Sequence, residues 1–123
     1  MFTLYIGSKF DRNGRPVRNA GAKLTAVKRE ALARFGGYSV STVFGGWNDA
    51  AGRAIEEKSI RLEVSELRPD YTPEVYRFAQ FCAICFCQSA VLVSSPLGDV
   101  LVEWNDTSQE PGAHTNEDLA SLD

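Results

Sequence analysis

The chain has 123 residues, of which 44% are hydrophobic and 24% charged, and its net charge is −3. That balance suits one globular domain able to bury a core without disulfides or metal, and the longest apolar run, near Phe81 to Phe86, is far shorter than the ~20 residues of a membrane span. The charge is uneven: residues 1–34 hold Lys9, Arg12, Arg15, Arg18, Lys23, Lys28, Arg29 and Arg34 against only Asp11 and Glu30, whereas residues 99–123 carry seven acids and no Lys or Arg.

Phe2 to Gly7 alternates, with Phe2, Leu4 and Ile6 on one face, which predicts a half-buried strand. No basic stretch precedes an apolar one there, so the start reads as a strand and not as a signal peptide. Lys9 to Val17 is polar, with Asn13-Gly14 as a turn signal and Pro16 as a breaker. Asn19 is a candidate N-cap for a helix to about Phe35. Ala20, Leu24, Val27, Ala31 and Phe35 form its apolar stripe, and Gly36-Gly37 stops it. Tyr38 to Phe44 alternates again, Gly45 to Gly52 reads as a turn region, and a return strand runs from about Ile55 to Glu66. In that strand Ile60, Leu62 and Val64 point one way, and Arg61, Glu63 and Ser65 the other.

Pro69-Asp70 marks a turn, Thr72 a second N-cap and Pro73 a first helical position. That helix is expected to about Gln88, with Val75, Phe78, Ala79, Cys82, Cys85 and Phe86 inward. Ala90 to Val93 and Asp99 to Trp104 read as strands around a Ser94–Gly98 turn. Residues 105–123 are acidic and nearly free of large apolar groups, so they are expected to form a disordered tail beyond a domain of residues 1–104. The order strand, helix, strand, strand, helix, strand, plus a short extra C-terminal strand, predicts an α+β fold. It is the ferredoxin-like split β-α-β arrangement, an antiparallel sheet with two helices on one face.

Five motifs occur in order: Leu4-Tyr5-Ile6-Gly7, Phe35-Gly36-Gly37-Tyr38, Gly46 to Arg53, Glu57-Lys58-Ser59 and Gln88-Ser89-Ala90-Val91. Over roughly residues 2–103 they resemble a group of small phage and bacterial proteins, including those called DUF3574. The resemblance implies a ferredoxin-like fold and phage association, and it transfers no activity. Cys82-Ala-Ile-Cys-Phe-Cys87 departs from the charged and aliphatic residues that the resemblance leads one to expect in the second helix.

The cysteines crowd into Cys82 to Cys87, unlike a spaced disulfide framework, so a reducing, cytoplasmic setting is expected. Cys82 and Cys85 share a helix face while Cys87 points elsewhere. The single histidine, His114, stands in the tail, so no metal site is expected. A redox pair normally sits at a helix start, whereas this one lies late in its helix. The two thiols therefore read as small buried hydrophobes. No triad, nucleophile elbow, P-loop or dinucleotide fingerprint occurs. Glu56 and Glu57 are adjacent on a strand and face opposite ways, so they cannot by themselves form a carboxylate pair. No catalytic residue and no cofactor are therefore expected.

Lys9, Arg12, Arg15 and Arg18 surround the loop before the first helix, where an anion would find free N–H groups. With Trp47 as a stacking wall they form the candidate ligand site. Tyr5, Arg61 and Glu63, on the open sheet face, form the candidate partner site. That face lacks the aromatic pair of an RNA-binding sheet and carries a glutamate, so nucleic acid is not expected there. The first functional expectation is a non-enzymatic, phage-associated binding protein that engages or inhibits a host or defence macromolecule, as anti-CRISPR proteins do, with a homodimer through the open face. The second is a sponge for an anionic nucleotide or other phosphorylated ligand. An enzyme of unknown reaction ranks last.

Overall fold

The computed structural model describes residues 1–65 and 72–104, apart from the side chain of Trp47. The expected tail with His114 and the Pro69-Asp70 turn lie outside the described residues. In chain order the elements are β1 (Phe2–Gly7), α1 (Ala20–Phe35), β2 (Ser39–Asn48), β3 (Ala54–Val64), α2 (Thr72–Cys85), β4 (Ala90–Ser95) and β5 (Gly98–Glu103). The sheet order is β2-β3-β1-β4-β5, with every neighbouring pair antiparallel. This is the ferredoxin-like α+β fold with one added edge strand. Among the described residues, no helix is long and apolar enough to cross a membrane.

The period of two in the strands sets what lies under the helices. Phe2, Leu4 and Ile6 from β1, Ile60, Leu62 and Val64 from β3, and Val91 and Val93 from β4 are all buried on one face. Register follows from that face: Leu4 pairs with Leu62 and with Val93, and a slip of one residue would turn the whole set to water. Val27, Ala31 and Phe35 from α1 and Val75, Phe78, Ala79 and Cys82 from α2 roof the face. The rings of Phe35 and Phe78 meet edge to face at 5.4 Å, which locks the two helices together. Burying each such side chain contributes about 1.5–3 kcal/mol, so this core outweighs any surface ion pair.

Lys23 joins the inward stripe of α1 and is only 9% exposed, which its long aliphatic stem permits. Asn19 adopts a left-handed backbone (φ 50°, ψ 45°), and its side chain makes no capping hydrogen bond, unlike the expected cap. At the other end Gly36, at φ 79°, donates its N–H to the Leu32 carbonyl.

Two boundaries differ from the sequence expectation. The Gly45-Gly46 stretch belongs to β2, which runs to Asn48 paired with Ala54. The turn is therefore tighter and lies at Asp49 to Arg53, where Asp49 Oδ1 accepts from the N–H groups of Ala51 and Arg53. Phe44 stands 81% exposed on that extension, because the hairpin runs past the helices and has no core to alternate against. The second helix ends at Cys85 instead of about Gln88. Gln88 N–H bonds the Ala83 carbonyl and Cys87 N–H the Ile84 carbonyl, with Cys87 at φ 54°. This is a Schellman closure with cysteine in the place usually taken by glycine.

Candidate functional site

Residues 8–18 form a small hairpin that folds over one end of the sheet. Phe10 bridges to Pro16, Asp11 N–H bonds the Arg15 carbonyl, and Val17 N–H bonds the Lys9 carbonyl. Asp11 Oδ1 accepts from the N–H groups of Asn13 and Arg15, and Gly14 turns the chain at φ 76°. Two fastenings tie this hairpin down. Arg12 N–H bonds the Cys87 carbonyl at 2.8 Å. The Gln88 amide nitrogen donates to the carbonyls of Gly7 at 3.0 Å, Phe10 at 2.8 Å and Phe86 at 3.2 Å. A nearly buried glutamine thus joins the end of β1, the hairpin and the end of α2.

A cleft of about 380 Å³ opens between this hairpin and the open sheet face. Phe10, Arg12, Ile55, Glu57, Gln88 and Ala90 line it. A neighbouring hollow of about 400 Å³ is lined by Ser8, Lys9, Phe44 and Lys58, with Glu56 and Glu57 bordering both spaces. Glu57 is half-buried on the open face, and Glu56 is exposed. The opposed directions read from the sequence hold, yet the cleft needs only Glu57. Among the described residues no cation or hydrogen-bond donor pairs with its carboxylate.

Gly7 explains how Glu57 comes so close. A Cβ built on Gly7 would stand 2.5 Å from Glu57 Oε1 and 2.9 Å from Gln88 Oε1. A side chain at this position would have to push the tips of Glu57 and Gln88 aside.

The basic residues do not converge. Lys9 lines the outer hollow with its Nζ 5.4 Å from the Phe10 ring centre, and Arg12 stacks on Trp104 at the edge of the cleft. Arg15 and Arg18 line a third, smaller space of about 220 Å³ near the start of α1, with Lys23 and Cys87. The side chain of Trp47 lies outside the described residues. On the open face Tyr5 pairs with Arg61 across β1 and β3, while Arg61 reaches Glu63 on its own strand at 3.4 Å. Cys82 and Cys85 are buried and form no disulfide, and burial, reinforced by neighbouring Cys85, raises the Cys82 thiol well above its ordinary range. The thiol of Cys85 points at the Lys23 carbonyl at 3.7 Å. Among the described residues no group of three or more His, Cys, Asp or Glu side chains is placed to hold a metal ion.

Sequence reasoning missed Gly7, Glu57 and Gln88 as a set. Each stands in one of the short motifs quoted above; Gly7 and Gln88 enter there for the fold alone, and Glu57 is weighed for chemistry only as a pair with Glu56.

No protein-family model and no curated protein sequence matches the chain. Two solved structures do. A phage SAM lyase in its apo state is 18% identical and matches with a TM-score of 0.58, covering 85% of this chain and 90% of that one. A phage SAM lyase in complex with S-methyl-5'-thioadenosine is 17% identical, with a TM-score of 0.57, covering 85% and 91%. The fold is thus one that an enzyme uses. That corrects the expectation of a non-enzymatic binder engaging a host or defence macromolecule. The nucleotide-sponge alternative is set aside with it, since Lys9, Arg12, Arg15 and Arg18 line three separate spaces.

Proposed function

We propose that this chain is an enzyme that cleaves S-adenosylmethionine, or a close adenosyl sulfonium relative, in the cleft between the 8–18 hairpin and the open sheet face. The observation that carries the reading is the fold likeness to a SAM lyase over 85% of the chain. The cleft supports it with the right furniture. Phe10 offers an aromatic edge for a base, Ile55 and Ala90 an apolar floor, and Glu57, with Glu56 beside it, negative charge for a cationic ligand.

A lyase that leaves S-methyl-5'-thioadenosine breaks the bond between the sulfonium sulfur and Cγ of the aminobutyrate chain. The bonding pair goes to sulfur, which becomes a neutral thioether. Elimination would need a base strong enough to take an unactivated Cβ proton, and a carboxylate is too weak. The substrate's own carboxylate can instead attack Cγ, forming the new C–O bond of a five-membered lactone as the C–S bond breaks. No proton moves. Opposite charges cancel in that transition state, so a site that excludes water and holds the chain folded accelerates it.

The test is direct. Purified protein is incubated with S-adenosylmethionine, and the mixture is resolved by liquid chromatography with mass detection. The wild type is expected to form S-methyl-5'-thioadenosine, and Glu57→Gln to lose most of that activity. If the wild type forms none and its melting temperature is unmoved by either compound, the reading is wrong.

A further inference from the structure

We propose that Arg12 is the specificity-determining residue of the cleft and takes the substrate's carboxylate, so that the site selects adenosyl sulfoniums with an intact amino-acid end. This deepens the reading above and rests on it. Opposite charges line the cleft without meeting. Arg12 is the one cation of its described lining, Glu56 and Glu57 line it too, and none of the three forms an ion pair among the described residues. Asp11, the remaining acid of the lining, engages its Oδ1 with the N–H groups of Asn13 and Arg15. S-adenosylmethionine bears the converse set, a sulfonium and an ammonium against one carboxylate. Two glutamates and one guanidinium held apart around about 380 Å³ of open space complement a ligand that carries both signs.

Arg12 is held ready for that contact. Its backbone N–H bonds the Cys87 carbonyl at 2.8 Å, and its guanidinium lies over Trp104, itself only 9% exposed. Stacking engages a face of the guanidinium and leaves its N–H donors, which lie in the plane. A side chain fixed before binding loses less freedom on binding. Lys9 and Lys58 line the adjoining hollow instead. The contact also fits the reaction. Only one carboxylate oxygen becomes the ring oxygen of the lactone. The other remains a carbonyl oxygen and accepts a hydrogen bond before and after the C–O bond forms. The carboxylate loses its charge on the way, so a guanidinium beside it stabilises the substrate at least as much as the transition state. Arg12 therefore serves binding and orientation, and its loss raises KM more than it lowers kcat.

S-adenosylhomocysteine is a suitable probe, because it keeps the carboxylate and has a neutral sulfur that cannot react. Its binding to the full chain is compared by calorimetry with that of its decarboxylated analogue and of S-methyl-5'-thioadenosine. The analogue has a positive net charge, which two glutamates favour, so without Arg12 it would bind at least as well. The wild type is expected to prefer S-adenosylhomocysteine by at least about fivefold, between the scale of an exposed ion pair and that of an enclosed hydrogen bond to a charged group. Arg12→Gln should abolish the preference, and Arg12→Lys should keep part of it, since an ammonium pairs with a carboxylate without the planar fork. With S-adenosylmethionine as substrate, Arg12→Gln should raise KM by a similar factor, with a smaller change in kcat. A smaller preference in the wild type, or one that survives Arg12→Gln, overturns the assignment and leaves the lyase reading intact. Loss of S-methyl-5'-thioadenosine binding by Arg12→Gln in the same proportion overturns it too, because the hairpin and not a carboxylate contact has then been lost. The wild-type comparison decides even where a variant does not fold. Failure to bind any of the three, with no cleavage of S-adenosylmethionine, overturns both readings.

Discussion

The guanidinium of Arg12 lies over the ring of Trp104, with its central carbon 4.0 Å from the ring centre. One residue is the tip of the hairpin that borders the cleft. The other follows the last strand, and its backbone N–H bonds the Ser89 carbonyl beside Gln88. The stack therefore pins the hairpin to the far side of the sheet. Arg12 is exposed, and a cation–π contact at such a site contributes about 0.5–1 kcal/mol. Arg12→Ala should lower the urea midpoint by a corresponding amount with the slope unchanged, and Arg12→Lys should recover only part, since a lysine cannot stack as a plane. An unmoved midpoint in Arg12→Ala would show that the hairpin is held by its backbone bonds alone.

Gly36 and Cys87 close the two helices with the same left-handed backbone, at φ 79° and 54°. A side chain in that conformation costs roughly 1–2 kcal/mol. Gly36→Ala should therefore destabilise by about 1 kcal/mol, although no atom blocks a Cβ there. Cys87→Gly should do the opposite. Relief of strain is partly offset by the freedom glycine adds to the unfolded chain, leaving a gain of up to about 1 kcal/mol. Thermal unfolding of both variants checks the pair, and a shared sign would mean that packing and not backbone strain governs these ends.

Much of the fold was legible because burial imposes a period. Phe2, Leu4 and Ile6, and Ile60, Leu62 and Val64, alternate as a one-sided sheet must, and all are buried. The extension of β2 through Gly45-Gly46 was not legible, since Phe44 at 81% exposure has no core to alternate against and the glycines read as a turn. The site escaped for another reason. Gly7, Glu57 and Gln88 are far apart in sequence, and only the register of β1 with β3, which sets Gly7 opposite Ser59, brings Glu57 beside Gly7. Nothing local in Gln88 announces that its amide will join three carbonyls. Charge was the misleading signal: Lys9, Arg12, Arg15 and Arg18 are close in sequence, but a hairpin sends neighbouring side chains in different directions.

Burial raises the Cys82 thiol well above its ordinary value of 9.0. In the unfolded chain the thiol ionises as pH passes that value, while in the fold it stays protonated. The folded state then binds more protons, so stability falls as pH rises above the ordinary value and towards the raised one. Below it the thiol makes no pH-dependent difference. Wild type should lose more stability between pH 8 and pH 10.5 than Cys82→Ala, whatever their difference at pH 8. Parallel losses would show that the thiol ionises as easily inside as outside. Thiol reagents in native conditions should correspondingly reach half-buried Cys87 before Cys82.

Arg61 carries a buried Nε with no hydrogen-bond partner, although its terminal nitrogen reaches Glu63 at 3.4 Å. The two effects oppose each other, and their magnitudes decide. The ion pair is partly exposed, at 40% and 27% of the two side chains, and is long, so it contributes no more than about 1 kcal/mol. A buried donor without a partner costs about 1–3 kcal/mol. Arg61→Met keeps an unbranched stem against Tyr5 and removes both terms. The expected result is an unchanged or raised urea midpoint at neutral pH. A loss beyond 1 kcal/mol would mean that the guanidinium is better satisfied in solution than its place on the sheet indicates, and would make the Arg61–Glu63 pair a real determinant of the open face.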